Sequence, residues 1–189
     1  LFNWYQKADG SGMTSQMKKL HFDPFGRLIQ SQDYLHNIVQ YIYDAYGNKL
    51  ETRVLYLDDS QDYTIAMAYD AMGRKTGMSD PSKGDWQYIY NKRGELVLQE
   101  DGNGVKICHQ YDSAGRLVKR FDSYYGSDAD AVSGCISGGL PTAEWIYDIA
   151  PKIGGGSWMG KLYQVKGENG YQETYSYDEL GRASNAVVI

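Results

Sequence analysis

"YDAMGR", Tyr69 to Arg74, is written twice more with only its third and fourth letters changed: "YDSAGR" at Tyr111 to Arg116 and "YDELGR" at Tyr177 to Arg182. Looser copies keep an aromatic residue, Asp or Asn, two free positions and Gly. They are Phe22-Asp23-Pro24-Phe25-Gly26-Arg27, Tyr43-Asp44-Ala45-Tyr46-Gly47-Asn48 and Tyr90-Asn91-Lys92-Arg93-Gly94-Glu95, with a degenerate copy at Tyr147-Asp148. The copies start at 22, 43, 69, 90, 111, 147 and 177, in steps of 21, 26, 21, 21, 36 and 30. A unit of about 21 residues carrying loop insertions accounts for every step, and such self-similarity marks a repeat architecture.

Each letter of the phrase has a local physical account. Asp opening a type I turn accepts hydrogen bonds from backbone N–H groups ahead of it, and Gly three residues on takes the left-handed conformation that completes a bulged hairpin. Only Gly enters that conformation without steric cost. The Arg past Gly sits across the hairpin from Asp, an opposite-charge pair of roughly 0.2–1 kcal/mol. Tyr closes the incoming strand, where its ring covers the turn and meets the Arg of the outgoing strand. The expected structural turn residues are therefore Asp23, Gly26, Arg27, Asp44, Gly47, Tyr69, Asp70, Gly73, Arg74, Gly94, Tyr111, Asp112, Gly115, Arg116, Tyr177, Asp178, Gly181 and Arg182.

The segments between turns alternate. In "DWQYIY" Trp86, Tyr88 and Tyr90 share one face; in "VKICHQY" Val105, Ile107, His109 and Tyr111 share one against Lys106, Cys108 and Gln110. Alternation bounded by turn signals reads as half-buried antiparallel strands. Second turns at Asp80 to Gly84, Asp101 to Gly104 and Glu168 to Gly170 make each unit turn, strand, Tyr-Asp turn, strand. Eighteen Tyr and 22 Gly against 4 Pro fit strands and turns, and few helices are expected.

Nothing in the sequence assembles into a catalytic or metal motif. His21, His36 and His109 stand alone, and neither Cys108 nor Cys135 belongs to a Cys-x-x-Cys pair. The two cysteines can bridge in principle but do not fix a compartment. "GGGSWMG", Gly154 to Gly160, lacks the Gly-Lys-Ser/Thr ending of a phosphate loop and reads as a connection. "DGNG" lacks the ligands of a calcium loop. "SDADAVSG", Ser127 to Gly134, reads as a solvated insertion loop. No catalytic residue, metal ligand or cofactor is expected. A net charge of −5 argues against nucleic acid, and no stretch approaches the ~18 apolar residues of a membrane span. Aromatic residues stack on sugar faces, so Trp86, Tyr88 and Trp145 are candidate glycan contacts.

The Tyr-Asp-x-x-Gly-Arg phrase at 21-residue spacing resembles the Rhs/YD-repeat family, which includes bacterial Rhs toxins, the B and C components of Tc toxin complexes, and teneurins. The resemblance runs from Phe22 to Ile189. "MSDPSKGDWQYIYNKRGELVLQEDGNGVKICHQYDSAGRLVKR" and "TAEWIYD…GKLYQV…ETYSYDELGR" are most similar to the bacterial members. It implies an all-β fold, a sheet of hairpins spiralling into a hollow shell that encloses a toxic C-terminal polypeptide. Family shells also carry an Asp-Pro-x-Gly-Leu self-cleavage motif. "DPFGR" at Asp23 to Arg27 ends in Arg, stands ahead of most of the repeats, and reads as an ordinary repeat turn.

The expected organisation is a partial repeat or linking strand over 1–21, regular repeats over 22–121, and repeats with insertion loops (122–143 and 149–160) over 122–189. The chain begins at Leu1 and stops a few residues into an apparent strand, which suggests an excerpt of a larger shell. The expected function is a non-enzymatic wall segment of a secreted or cell-surface bacterial protein. Its expected partners are neighbouring repeats and an enclosed toxin polypeptide, with self-association through strand edges. A glycan-binding or adhesion module is the alternative, with no nucleic acid and no membrane span.

Overall fold

The computed structural model describes residues 2–6, 13–56, 62–135 and 140–189, with backbone alone for residues 2–6 and 13–17. Residues 7–12 of the expected leading segment and 136–139 of the first insertion lie outside the described residues. The fold is all-β, as the alternation requires. Strands β1 (Phe2–Gln6) and β2 (Met13–Met17) pair as a hairpin of their own. The remaining fourteen strands form one sheet whose neighbour order is the chain order. The pairings from β3 to β8 and from β9 to β16 are antiparallel.

The chain divides into two units, residues 1–86 and 87–189. The first holds β3 (Lys19–Phe22), β4 (Leu28–Gln32), β5 (Ile38–Tyr43), β6 (Lys49–Leu55), β7 (Tyr63–Tyr69) and β8 (Lys75–Asp80). Its register sorts side chains by face. Leu20, Ser31, Val39, Val54 and Tyr63 stand opposite one another in a mostly apolar row across five strands. His21, Gln30, Gln40, Arg53 and Thr64 form the neighbouring, polar row on the other face. Among the described residues of this unit, only Ser31 and Asp80 are fully buried.

Strand β9 (Gly84–Tyr90) leads from the first unit into the second. The second continues with β10 (Leu96–Glu100), β11 (Lys106–Tyr111), β12 (Leu117–Phe121), helix α1 (Asp128–Val132), β13 (Ala143–Tyr147), β14 (Leu162–Gly167), β15 (Gln172–Tyr177) and β16 (Ala183–Val188). Here one face acquires a second layer. The pairing places Ile89, Leu98, Cys108 and Phe121 side by side. Tyr124, Ala131 and Cys135, from the insertion between β12 and β13, close over them to make a dry core.

That insertion corrects the reading of Ser127 to Gly134 as a solvated loop. Ser127 caps α1: its hydroxyl accepts the Asp130 N–H at 3.2 Å, and Asp130 accepts the Ser127 N–H at 3.1 Å. The two acidic residues act in capping and in a 3.4 Å pair between Asp128 and Lys106. Five residues cannot hold a helix in isolation. Packing of Ala131 and a disulfide between Cys108 of β11 and Cys135 hold this one, joining positions 27 residues apart. Both sulfur-bearing residues are buried.

Closing a loop of that length restricts the unfolded chain by about 3.5 kcal/mol. Cys135→Ser is expected to lower the denaturant-derived stability of the second unit by about that amount. Amide exchange should quicken at Ala131 and Cys108 while β5 and β6 stay unchanged, and proton exchange read by NMR checks both parts.

Candidate functional site

The recurrent feature of the sheet is its row of Tyr-Asp turns, and one turn shows the wiring. Asp70 N–H donates to the Arg74 carbonyl at 2.9 Å, and Gly73 N–H to the Asp70 carbonyl at 3.0 Å. The Asp70 carboxylate accepts the N–H groups of Met72 (2.9 Å) and Arg74 (3.0 Å) on one oxygen and the Arg74 guanidinium on the other (2.7 Å). Asp23, Asp112 and Asp178 repeat this pattern with Arg27, Arg116 and Arg182. Gly26, Gly47, Gly73, Gly94, Gly115 and Gly181 all have φ between +73° and +94°. A register shift falls beside each turn, so two residues past the Gly oppose one Tyr or Phe.

Two turns vary the chemistry and keep the geometry. Asn48 replaces Arg after Gly47 and donates its amide to Asp44 at 2.8 Å. In the Asn91 turn donor and acceptor are exchanged: Asn91 Nδ2 donates to Glu95 at 2.6 Å, and Arg93 pairs with Glu95 at 3.1 Å. Asp33 builds the same turn between β4 and β5 with His36 at the glycine position, φ +68°. It stands at the opposite end of the strands from the Tyr-Asp turns, as the second turn of its unit equivalent to Asp101 to Gly104, and His36 in place of Gly hides it in the sequence.

The degenerate copy at Tyr147-Asp148 closes like the others at its base but has eleven residues between Asp and Gly instead of two, a positive φ at Asp148 (+70°), and its Gly160 N–H donated to the Asp148 carboxylate at 2.5 Å. Asp148 N–H donates to the Lys161 carbonyl at 3.0 Å, as Asp70 does to Arg74, and Gly160 has φ +76°. Removing the nine surplus residues returns the step of 30 to 21. The "GGGSWMG" segment therefore lies inside a turn, and Trp158 covers Gly181, with Lys152 Nζ 4.4 Å from its ring centre.

Successive turns are locked to one another, and the tyrosine hydroxyl supplies the bond. Tyr43 Oη donates to the Leu28 carbonyl (3.0 Å), Tyr69 to Lys49 (3.0 Å), Tyr111 to Leu96 (2.9 Å) and Tyr177 to Leu162 (2.6 Å). In every case the acceptor stands two residues past the glycine of the preceding turn. This explains Tyr over Phe. Phe22, in the edge strand β3, has no preceding turn within that sheet to reach.

Over three of the rings a cation also comes from the preceding turn, which corrects the expected partner. Arg27 lies 4.9 Å from the Tyr43 ring centre, Arg116 4.4 Å from Tyr147, and Lys161 5.7 Å from Tyr177. The guanidinium reaches on to the next turn. Arg27 bonds the Asp44 carbonyl (3.3 Å), Arg93 the Asp112 (3.0 Å) and Ser113 (3.2 Å) carbonyls, and Arg116 both oxygens of Asp148 (3.0 and 2.6 Å).

The charges respond accordingly. Asp70 is held below the usual carboxylate range by the Arg74 side chain and then the Arg74 N–H. Asp148 falls to about 2, first through Arg116 and then through the Gly160 N–H. Asp148 and Asp112 raise the already high value of Arg116. His109, half-buried with Nδ1 unpartnered, is shifted down by burial and by Arg120 opposite it, against the pull of Asp122. Among the described residues no group of three or more His, Cys, Asp or Glu is placed to hold a metal. None of their helices is long and apolar enough to cross a membrane.

The candidate glycan contacts do not converge. Trp86 and Tyr88 share a face of β9, and Trp86 Nε1 donates to the Lys83 carbonyl at 3.2 Å. Tyr88 stands opposite Gln99, and Trp145 opposite Val165 in β13. Three strands lie between Tyr88 and Trp145, about 19 Å at the usual ~4.8 Å spacing.

Tyr111→Phe is expected to lower stability by about 1 kcal/mol, by removing the bond to Leu96 while keeping the ring; denaturant titration measures it. Acid should act through Asp148. Its proton affinity is depressed in the fold, so its contribution is complete above the ordinary carboxylate value of 3.8 and is lost as pH falls toward about 2. Asp148→Asn should flatten the fall in melting temperature between pH 4 and pH 2 while lowering the value at pH 7.

No protein-family profile matches the chain. Teneurin-4 of Homo sapiens and that of Mus musculus are each 27% identical over 167 residues, 86% of this chain and 6% of their own length. Crystal structures of TcdB2-TccC3, one of them with Cdc42, superpose with a TM-score of 0.67 at 15% identity, over 95% of this chain and 9% of theirs. The Photorhabdus luminescens Tc holotoxin pore gives 0.66 at 15% identity, over 93% of this chain. The chain thus spans less than a tenth of each of these proteins. The solved structures share its fold, and together with the teneurin match they bear out the resemblance to the Rhs/YD-repeat family that the Tyr-Asp turns carry.

Proposed function

We propose that the chain is a wall segment of a YD-repeat shell, that it encloses a polypeptide, and that it carries no reaction of its own. One observation carries this reading. Among its described residues the first unit buries no apolar side chain completely, although its pairing gathers Leu20, Val39, Val54 and Tyr63 on one face. A single sheet layer with an apolar face needs something against it. A wall around a polypeptide supplies that layer from the contents or from further repeats.

The turn row supports the same role. Within each unit every Tyr-Asp turn after the first is bonded to the one before it by a tyrosine hydroxyl, a cation or both, so the array extends by adding like joints. Both outer strands of the fourteen, β3 and β16, leave an open edge where a further repeat pairs. The buried Cys108–Cys135 disulfide suits an oxidising compartment, and hence a secreted or cell-surface protein.

The test is protection. In the full-length protein that contains this chain, the enclosed polypeptide should resist trypsin without denaturant and become cleavable once urea unfolds the wall. Cleavage at the rate of the same polypeptide free in solution would overturn the reading.

A further inference from the structure

At two places along the row of turns, the residue after a glycine fills the space against the next turn. Arg27 does so beside Gly47, where a Cβ would meet its Nη1 at 3.7 Å, and Glu95 beside Gly115, at 3.1 Å. In the Glu95 case the neighbouring Arg93 provides the cation and bonds the Asp112 and Ser113 carbonyls. Between the Asp44 and Asp70 turns the filling residue is Asn48. Its amide is spent on Asp44, and its Oδ1 stops beside Gly73, 3.4 Å from where a Cβ would stand.

Asn48 comes as near to its glycine as Arg27 does but sends no guanidinium on to the next turn, and a groove of about 610 Å³ lies there, lined among others by Asp44, Asn48, Leu50, Tyr69, Asp70 and Met72. Three features of it match the positions where the chain places its own guanidinium groups. The Tyr69 ring, equivalent to Tyr43 and Tyr147, has no cation over it among the described residues. The Asp70 carbonyl is equivalent to the Asp44 carbonyl that Arg27 bonds. The Asp44 carboxylate is held by a neutral amide where Asp23, Asp70, Asp112 and Asp178 hold arginine. The field of Asp44 reaches the ring, since after burial it is the second cause raising the Tyr69 hydroxyl. Tyr46 and Met72, 93% and 78% exposed, stand at the rim as apolar surface for the stem of an incoming side chain.

We infer that this groove docks a guanidinium-bearing side chain of a partner polypeptide, laid over Tyr69 and bonded to the Asp70 carbonyl as Arg27 is to Asp44. Guanidinium is favoured over ammonium because Arg27 and Arg93 bond the equivalent turn carbonyls and Arg27 and Arg116 lie over the equivalent rings, and a planar fork stacks on a ring while donating from its edge. The inference does not depend on the shell reading: the site exists whether the chain encloses a polypeptide or not.

N-acetyl-arginine amide titrated into the 15N-labelled chain tests it. Saturable shifts are expected at Asn48, Gly73 and Asp70, with acetyl-citrulline amide and acetyl-lysine amide binding about tenfold more weakly or worse. Asn48→Arg should fill the groove from within and abolish the shifts, while raising the melting temperature. Asn48→Lys is a second filling variant, patterned on Lys161 over Tyr177. Absent shifts, equal binding of the citrulline or lysine probe, or unchanged binding in both filled variants would each overturn the inference.

Discussion

The bond on which the structure depends is the one from backbone N–H groups to the turn aspartate. One carboxylate oxygen takes two amides of its own turn, which fixes the left-handed glycine and the bulge beside it. The bulge sets the rotation of the strand end, and so aims the tyrosine at the preceding unit. The second oxygen fixes the arginine stem so that its fork points to the following unit. A single side chain therefore positions contacts in both directions along the sheet. This is why the phrase has six letters and why all of them recur together.

A sheet wired in this way needs little core of its own. In the first unit the ladder and the turn contacts are the main cohesion, with apolar side chains only half covered. In the second, the insertion after β12 folds α1 onto Leu98, Cys108 and Phe121 and is cross-linked there. The two units show two ways of treating an apolar sheet face: leaving it half covered, or covering it with a local flap.

Much of this was legible in the sequence, and what was not has physical reasons. Strand positions followed from alternation, and the Asp–Arg pairs from turn chemistry. The tyrosine hydroxyl bond did not follow, because its acceptor is a backbone carbonyl fifteen or twenty residues away that no residue type announces. The partner of the ring was misassigned for a related reason: hairpin logic pairs residues within a turn, whereas the bulge turns the ring toward the previous one. His36 occupies a position that favours glycine, so the Asp33 turn carries no glycine signal in the sequence. The Ser127 capping box was present in the letters, but a five-residue helix is decided by what it packs against. The Asp148 turn was half visible, since its glycine had moved nine residues downstream.

That displaced glycine has a consequence for how such arrays diversify. The Asp148 turn is closed by the same Asp N–H to carbonyl bond as the shortest turns, with its glycine amide moved onto the carboxylate, yet eleven residues loop out between its two anchors. Strand register on either side does not sense the length of the excursion. The joint thus separates two kinds of inheritance: letters that must be copied to keep the sheet growing, and letters between Asp and Gly that are free to drift, lengthen or be exchanged for foreign sequence. A lineage built on it can vary its rim without renegotiating its frame, and a protein engineer has a graft point whose boundaries are a single aspartate and a single glycine.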